Sequence, residues 1–221
     1  MTHELVVARC REDLNWLRRV PKTFRVTVYD KGGHRDAKHP LPNIGREAHT
    51  YLHHIVTRYD DLAGLTVFSQ GRPFDHVSNF HPILREIASG HRAAKEFEWL
   101  GFIIDWDDAT GSRLFQNWSK NESRTPLPAD DFFRAMWRRG APGKTVFYPG
   151  AHFIASRELI RRQPRTFYEC ALEMCATLPE AAHCFERCWD QVFATNGVPE
   201  KFRDLPLPVY TKPIRRLRAD P

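Results

Sequence analysis

The segment from Leu41 to Gly71 constrains the fold most, because it joins a predicted helix directly to a predicted strand. A turn that contains Asn43 and Gly45 precedes the helix, which Arg46 opens, and the strand Leu65–Ser69 then runs into the polar loop GRPFDH. The first N–H groups of a helix have no partner within the helix and bind anions. In open parallel sheets, ligands bind at the carboxyl ends of the strands. We therefore expect an α/β sheet that binds a phosphate-bearing ligand.

Strands and helices alternate through the first third of the chain. The apolar run Leu5–Ala8 predicts a buried strand, and acidic residues lead a predicted helix at Glu12–Leu17. Phe24–Tyr29 alternates as a strand does and ends at the turn Asp30–Gly33. This order implies right-handed crossovers and a mostly parallel central sheet flanked by helices. From Ser156 onward helix signals dominate, so we expect a helical C-terminal region.

Length and composition indicate one folded domain. The chain has 221 residues, of which 42% are hydrophobic, and this is enough for a packed core. We expect residues 1–200 to form the domain and residues 201–221 to form a basic, proline-rich C-terminal tail. No apolar run approaches the roughly 18 residues of a transmembrane segment. The start MTHELVVARC has no signal-peptide pattern, which favours the cytoplasm.

The net charge of +6 predicts a surface that attracts polyanions, whether nucleic acid, acidic glycans or nucleotide phosphates. Part of this excess lies in the tail, at Lys212–Pro221. The sequence contains no G-x-G-x-x-G, G-x-x-x-x-G-K-[ST] or G-x-S-x-G motif. A Rossmann dehydrogenase, a P-loop ATPase and an α/β-hydrolase are therefore disfavoured. The five cysteines form no C-x-x-C pair, which indicates reduced thiols.

Histidines and acids supply two candidate metal sites. His49 and His53 are four residues apart on a predicted helix, although HTYLH lacks the glutamate of a zinc-protease motif. Asp75 and His76 follow the strand LTVFSQ, where oxygen and imidazole ligands suit Mn²⁺ or Mg²⁺ bound to a pyrophosphate. The alternative for Asp75 is a structural turn cap.

Two carboxylates are candidates for catalysis. Asp105 lies in IIDWDD at a strand end, where it would position an acceptor hydroxyl or a metal, or would simply belong to an acidic turn. Glu186 lies beside the apolar face of a predicted helix, AAHCFERCWDQVF. We expect partial burial to raise the pKa of Glu186, as suits a general base. Its alternative role is an ion pair with Arg187.

Several segments together resemble a known family; they are VVARCREDLNWL, VYDKG, LPNIGREAHTYLHHIVTRYDDL, VFSQGRPFDH, FIASRELIRRQPRTFY and FERCWDQVF. They resemble a family first catalogued as a domain of unknown function, which is similar to GT-A-type nucleotide-sugar glycosyltransferases, including those of large algal viruses and of rhamnan synthesis. The resemblance extends from about Leu5 to Phe193 and implies a single GT-A-like domain whose first half binds a nucleotide.

The resemblance also implies donor-binding residues. Ala8 and Arg9, after the first strand, would lie against the base and the ribose. Asp30 would accept a hydrogen bond from a uracil N–H. Asn43 and Arg46, both within the motif N-x-G-R-E, would lie at the donor, with Arg46 facing the diphosphate.

The strand end of VFSQG departs from the resemblance, because Gln70 and Arg72 stand where GT-A enzymes carry an Asp-x-Asp metal motif. The resemblance therefore leaves two alternatives for the phosphates: a Mn²⁺ or Mg²⁺ ion held by Asp75 and His76, or neutralisation by Arg72. Glu186 falls where inverting enzymes of this kind place their base.

We expect transfer of a sugar from a nucleotide diphosphate donor, a UDP-sugar, to a glycan hydroxyl. Two alternatives from other classes remain open: a nucleic-acid-binding module that uses the basic tail, and a metal-dependent hydrolase that uses the histidines. Without an Asp-x-Asp motif, an inactive scaffold is a further alternative.

Overall fold

A computed structural model describes residues 2–92, 95–117, 124–202 and 206–211. The strands are β1 (His3–Arg9), β2 (Phe24–Asp30), β3 (His39–Pro40), β4 (Leu65–Gln70), β5 (Phe97–Trp99), β6 (Ile103–Asp107), β7 (Thr145–Phe147), β8 (Phe153–Ser156) and β9 (Val209–Tyr210). The helices are α1 (Arg46–Arg58), α2 (Phe80–Ala88), α3 (Ala129–Trp137), α4 (Arg157–Ile160), α5 (Arg165–Thr177) and α6 (Ala181–Val192).

The central sheet has six strands in the order β3-β2-β1-β4-β8-β5. The first four are parallel, and β8 runs antiparallel to both β4 and β5. Arg9 therefore lies opposite Asp30, and Ala8 opposite Gln70, at one edge of the sheet. The sequence prediction of a mostly parallel sheet flanked by helices is confirmed. This carboxyl edge is the place where such sheets bind ligands.

Both faces of the sheet are buried, which explains the continuous apolar run of β1. Leu5 and Val7 belong to the core under α2, whereas Val6 and Ala8 belong to the larger core under α1. In both α1 and α2 the buried apolar residues recur every three or four positions, as on one side of a helix. They are Ala48, Tyr51, Leu52 and Ile55 in α1, and Phe80, Ile83, Leu84 and Ile87 in α2.

The C-terminal half adds helices over α1 and a second sheet. Helices α5 and α6 pack against α1, and β7, β6 and β9 form a three-stranded antiparallel sheet. Ile103 and Ile104 pair with Tyr210 and Val209, so part of the predicted tail is a strand of this sheet. The basic segment 212–221 lies outside the described residues. No described helix has both the length and the apolar character that crossing a membrane requires.

The predicted helix at Glu12–Leu17 is wrong in type and position. A short 3-10 helix, Asn15–Arg19, occupies the region and buries none of its residues. The carboxylate of Glu12 instead accepts the N–H groups of Cys10 at 2.7 Å and Arg11 at 3.1 Å. An acidic side chain that accepts N–H groups from residues before it closes a loop, whereas one in the first turn of a helix faces N–H groups of the helix.

Candidate functional site

At the carboxyl edge of the sheet, the buried carboxylate of Asp30 organises the loop after β2. One oxygen accepts the N–H groups of Gly32 at 3.0 Å and His34 at 3.2 Å. The other lies 3.2 Å from Nη1 of Arg9 and 2.6 Å from Nδ1 of His34. Burial alone would raise the pKa of Asp30, but His34 and Arg9 lower it. Asp30 thus positions Arg9 and the loop, and its contact with a uracil stays a prediction.

Lys31 joins this edge to the start of α1. Its buried ammonium group donates to the carbonyl of Ile44 at 2.5 Å and to that of Arg46. Burial lowers the pKa of Lys31 to about 8. Gly45 and Arg46 have φ values of 56° and 46°, in the left-handed region. A Cβ at Gly45 would lie 2.9 Å from the carbonyl oxygen of Cys175, so the turn is held tightly against α5.

A cavity of about 510 Å³ opens beside this turn; we call it the α1–α6 cavity. Its lining is formed by Ile44, Gly45, Arg46, Phe115 and residues 175–183. The N-termini of α1 and α6 both border it, and no described side chain caps either one. The Arg46 side chain, 46% exposed, lies at the same place. The two helix N-termini and the guanidinium favour a bound anion, whereas Glu180 and the C-terminal end of α5, which also line the cavity, oppose it.

A smaller cavity of about 210 Å³ lies next to it; we call it the Glu186 cavity. Three apolar side chains and three polar ones form its lining: Leu114, Phe147, Pro149, His76, Glu186 and Arg187. His76 follows β4, and Pro149 precedes β8, whose first residue pairs with Phe68 of β4. The Glu186 cavity therefore also lies at the carboxyl edge.

Glu186 is 8% exposed, and an N–H group, an imidazole and a guanidinium lie around its carboxylate. One carboxylate oxygen accepts the N–H of Gly150 at 2.7 Å. The other lies 3.7 Å from both Nδ1 of His183 and Nη1 of Arg187. Burial raises the pKa of this carboxyl, but His183, Arg187 and Gly150 outweigh burial and lower the pKa to about 2. The expected rise in pKa is therefore not found, and Glu186 is an anion at neutral pH.

The closest partner of Arg187 is Asp107, which is 0% exposed. Nη2 and Nε of Arg187 donate to one oxygen of Asp107 at 2.8 and 3.2 Å. The same carboxylate accepts four backbone N–H groups, those of Asp108, Arg113, Leu114 and Phe115. The pair thus fixes the loop after β6, which supplies Leu114 to one cavity and Phe115 to the other.

The two cavities share a wall. Phe115 and His183 line the α1–α6 cavity, and their ring centroids are 4.9 Å apart. The Glu186 cavity is lined by residues close to these two along the chain: Leu114 beside Phe115, and Glu186 and Arg187 one helical turn after His183. A ligand in the larger cavity would therefore lie near the Glu186 carboxylate.

A second imidazole lies behind His76. Gly150 has a φ of 104°, and a Cβ there would lie 2.5 Å from Cγ of His76. The ring centroid of His76 lies 5.9 Å from that of His152, which is fully buried. Neither ring nitrogen of His152 has a hydrogen-bond partner in the described part of the chain. Burial lowers the pKa of His152 to about 3, so the ring is neutral.

The remaining predicted residues are dispersed. Asp75 is 57% exposed and pairs with Arg72 at 3.3 Å, while its neighbour His76 lines the Glu186 cavity. Asp105 pairs with Arg113 and accepts the N–H of Trp106. The other donor-binding residues also differ in place: Asn43 is exposed, Gln70 is half-buried at the end of β4 and Ala8 is buried beside it. Residues 2–92, 95–117, 124–202 and 206–211 contain no group of three metal-ligating side chains, and metal binding by Asp75 and His76 stays a prediction.

The histidines of α1 pack against aromatic rings. His49 and His53 stack with ring centroids 6.3 Å apart, and Tyr29 contacts His53 edge to face at 5.4 Å. Nδ1 of His54 lies 3.1 Å from the Tyr29 hydroxyl. Burial lowers the pKa values of His49 and His54 to about 4. His49 and His54 are therefore buried, neutral rings, and His53 is a half-buried ring beside them.

Sequence reasoning missed Glu47, His183, Gly150 and the Asp107–Arg187 pair. Glu47 lies in the motif N-x-G-R-E, next to Arg46, and its helical spacing to Tyr51 indicates an inward face. That spacing was the available signal for Glu47. The pairing of Asp107 with Arg187 has no local signal, because 80 residues separate them.

Comparison with known proteins gives one match. A family model described as protein of unknown function (DUF3431) matches residues 5–201. No curated protein and no solved structure gives a significant match.

Proposed function

The chain belongs to the DUF3431 family, and we propose that it is a glycosyltransferase acting on a nucleotide diphosphate donor, a UDP-sugar, and a glycan hydroxyl. One observation carries the proposal. The ionised carboxylate of Glu186 lies in a small cavity that shares a wall with a larger cavity, which two helix N-termini and Arg46 border at the carboxyl edge of a parallel sheet.

In this proposal the α1–α6 cavity binds the donor diphosphate. Its volume of about 510 Å³ is in the range of small-molecule sites. The N-termini of α1 and α6 and the guanidinium of Arg46 would stabilise the negative charge that grows on the departing diphosphate. Because Lys31 and Gly45 hold this turn rigidly, little reorganisation is needed as the charge develops.

The Glu186 cavity would hold the acceptor sugar. The apolar side chains of Leu114, Phe147 and Pro149 suit one face of a sugar ring. The acceptor hydroxyl oxygen attacks the anomeric carbon of the donor, the bond from that carbon to the diphosphate breaks, and Glu186 takes the hydroxyl proton.

A pKa of about 2 makes Glu186 a weak base in the ligand-free protein. Two effects make this sufficient. The proton of the attacking hydroxyl becomes strongly acidic as the new C–O bond forms. A diphosphate in the neighbouring cavity adds negative charge, which raises the pKa of Glu186.

Asp75 and His76 would hold a divalent ion, which would supply further positive charge to the departing diphosphate. The involvement of Mn²⁺ or Mg²⁺ stays a proposal. Calorimetric titration with UDP in the presence and absence of Mn²⁺ tests it directly.

The proposed function is tested with Glu186→Gln, which keeps the shape of the side chain but cannot take a proton. Turnover of a UDP-sugar should fall by about 10²–10⁴-fold, while UDP should still raise the melting temperature. Glu169→Gln, at an exposed position of α5, is the matched control and should retain full turnover. Full turnover by folded Glu186→Gln protein would refute the role of Glu186. If UDP, GDP and their sugars neither stabilise the protein nor react, the proposed function is wrong.

A further inference from the structure

A second buried carboxylate, that of Glu47, lies in α1, which packs against α6, and it is close enough to Glu186 to feel its charge. Glu47 is one helical turn before Tyr51, and Glu186 is one turn before Trp189. The rings of Tyr51 and Trp189 contact each other with centroids 5.8 Å apart. The N-termini of both helices border the α1–α6 cavity, so the turns that hold Glu47 and Glu186 both lie on the cavity side of this ring contact.

The two carboxylates have unequal partners. Glu186 has the N–H of Gly150 and the cationic side chain of Arg187. For Glu47, also 8% exposed, the ion pair among the described residues is to Arg46, with Nε 3.8 Å from the carboxylate. The buried hydroxyl of Tyr51 has no hydrogen-bond partner in that part of the chain. Glu47 is thus a buried acid with weak compensation.

Every element packed against this pair contributes a titratable or charged group. Helix α1 contributes Arg46 and Tyr51, the end of β2 contributes Lys31, α5 contributes Cys175, and α6 contributes His183 and Arg187. The loop after β4 contributes His76, and the loop before β8 contributes His152. Burial raises the pKa of Glu47, and the charge of Glu186 raises it further. Arg46, the backbone N–H of Glu47 itself and His183 act in the opposite direction without cancelling the rise.

We propose that Glu47 is a positioning residue for the transfer reaction: when ionised, its charge increases the proton affinity of Glu186 and opposes the diphosphate bound beside Arg46. This inference rests on the proposed function of the site. Two carboxylates that share a buried site raise each other's proton affinity. The same negative charge, next to the α1–α6 cavity, disfavours a bound anion.

The two roles predict opposite effects on binding and on turnover. In Glu47→Gln, loss of the charge leaves Glu186 a weaker base, so kcat should fall by about tenfold. Inorganic pyrophosphate, which lacks any base contact, should bind about threefold to tenfold more tightly, because repulsion from Glu47 is removed. Glu47→Asp keeps the charge and should restore both quantities toward the wild-type values.

The pH dependence gives a second signature. Activity should rise with pH as Glu47 ionises, so the wild-type profile should have an acidic limb above the ordinary pKa of a glutamate. Glu47→Gln should lose this limb and show a lower, flat rate. A raised folded-state pKa contributes stability that is present below the unfolded pKa and is lost as pH rises through the folded pKa. At neutral pH, Glu47→Gln should therefore have a higher melting temperature than the wild type.

The experiment compares the wild type, Glu47→Gln, Glu47→Asp and the control Glu169→Gln. It measures pyrophosphate affinity by calorimetry, kcat against pH, and the melting temperature. Slower turnover together with tighter pyrophosphate binding and a lost acidic limb supports the inference. A Glu47→Gln protein that matches the control, or that loses stability and pyrophosphate affinity together, overturns it.

Coupling between the two acids is also measured without turnover, by carboxyl carbon NMR of the full chain. The pKa of Glu47 should fall in Glu186→Gln, since the neighbouring charge is gone while burial remains. An unchanged pKa of Glu47 would overturn the inference even in an active enzyme. If instead the wild type transfers no sugar while this coupling is found, the proposed function fails and the electrostatic pairing stands.

Discussion

The buried pair of Asp107 and Arg187 supplies the sharpest test of how the site is assembled. We consider Asp107→Asn, which keeps the size of the side chain and removes its charge. One oxygen of Asp107 accepts two guanidinium N–H groups and the N–H of Phe115, and the other accepts three backbone N–H groups. In asparagine, an NH₂ group replaces one of the two carboxylate oxygens and therefore faces N–H donors that it cannot accept.

The expected cost follows from burial. The Arg187 side chain is only 6% exposed, so loss of the carboxylate charge leaves a buried guanidinium without its main counter-ion. Breaking a buried ion pair by removing one partner costs about 3–5 kcal/mol. Even the lower value is a large share of the total stability of an ordinary domain. Because Leu114 and Phe115 lose their anchor, UDP affinity should fall as well.

The assay is urea unfolding followed by fluorescence, with Asp36→Asn as the control, since Asp36 is exposed. Asp107→Asn should reduce the free energy of unfolding by about 3–5 kcal/mol with an unchanged m-value, and the control should match the wild type. A loss below about 1 kcal/mol, which is typical of an exposed ion pair, would refute this account of how the loop is held.

Changes at four other positions test separate parts of the site. Gly150→Ala should lower the free energy of unfolding by about 2–4 kcal/mol, because its φ of 104° and the contact with His76 exclude a Cβ; an unchanged urea midpoint would contradict this. For Glu186, the wild type should be more stable than Glu186→Gln at pH 7, and thermal scans should show the difference shrinking as pH falls from 4.5 to about 2; a constant difference would argue against the lowered pKa. Arg46→Lys should weaken pyrophosphate binding by about tenfold, because lysine lacks the planar fork; unchanged calorimetric affinity would remove Arg46 from the site. His152→Leu should leave the melting temperature unchanged or higher, because both ring nitrogens lack partners among the described residues; a marked fall would mean that a buried water bonds to this ring.

The fold class was predictable because its signals are local. The continuous apolar run of β1 indicates a strand buried on both faces, and the helical spacing of apolar residues in α1 indicates one buried side. The error at Glu12 has a local cause as well. An acidic residue in the first turn of a helix and one that closes a non-helical turn look the same in sequence. Only the loop geometry shows that Glu12 bonds to Cys10 and Arg11.

The candidate site was predictable only in part. Arg46 and Glu186 were found because each lies in a recognisable motif, and the structure places both at adjoining cavities. Asp75 and His76 are neighbours in sequence, yet the 3-10 turn at Pro73–Asp75 points one to solvent and the other into the Glu186 cavity. Side chains at adjacent positions of a tight turn point in different directions, so the closeness of Asp75 and His76 in sequence did not predict that they share a site.

By itself, the sequence determined the parallel sheet with its flanking helices, the apolar face beside Glu186 in α6, and the two motif residues Arg46 and Glu186. The tertiary structure alone decided which charges meet. It brings Glu47 close to Glu186 and pairs Arg187 with Asp107, and it sets the pKa of Glu186 below its ordinary value although burial acts in the other direction. The reason is physical: periodicity and propensity act over a few residues, whereas electrostatic energy depends on distance in space. The partners that lower the pKa of Glu186 are His183, Arg187 and Gly150, which come from α6 and from the loop before β8.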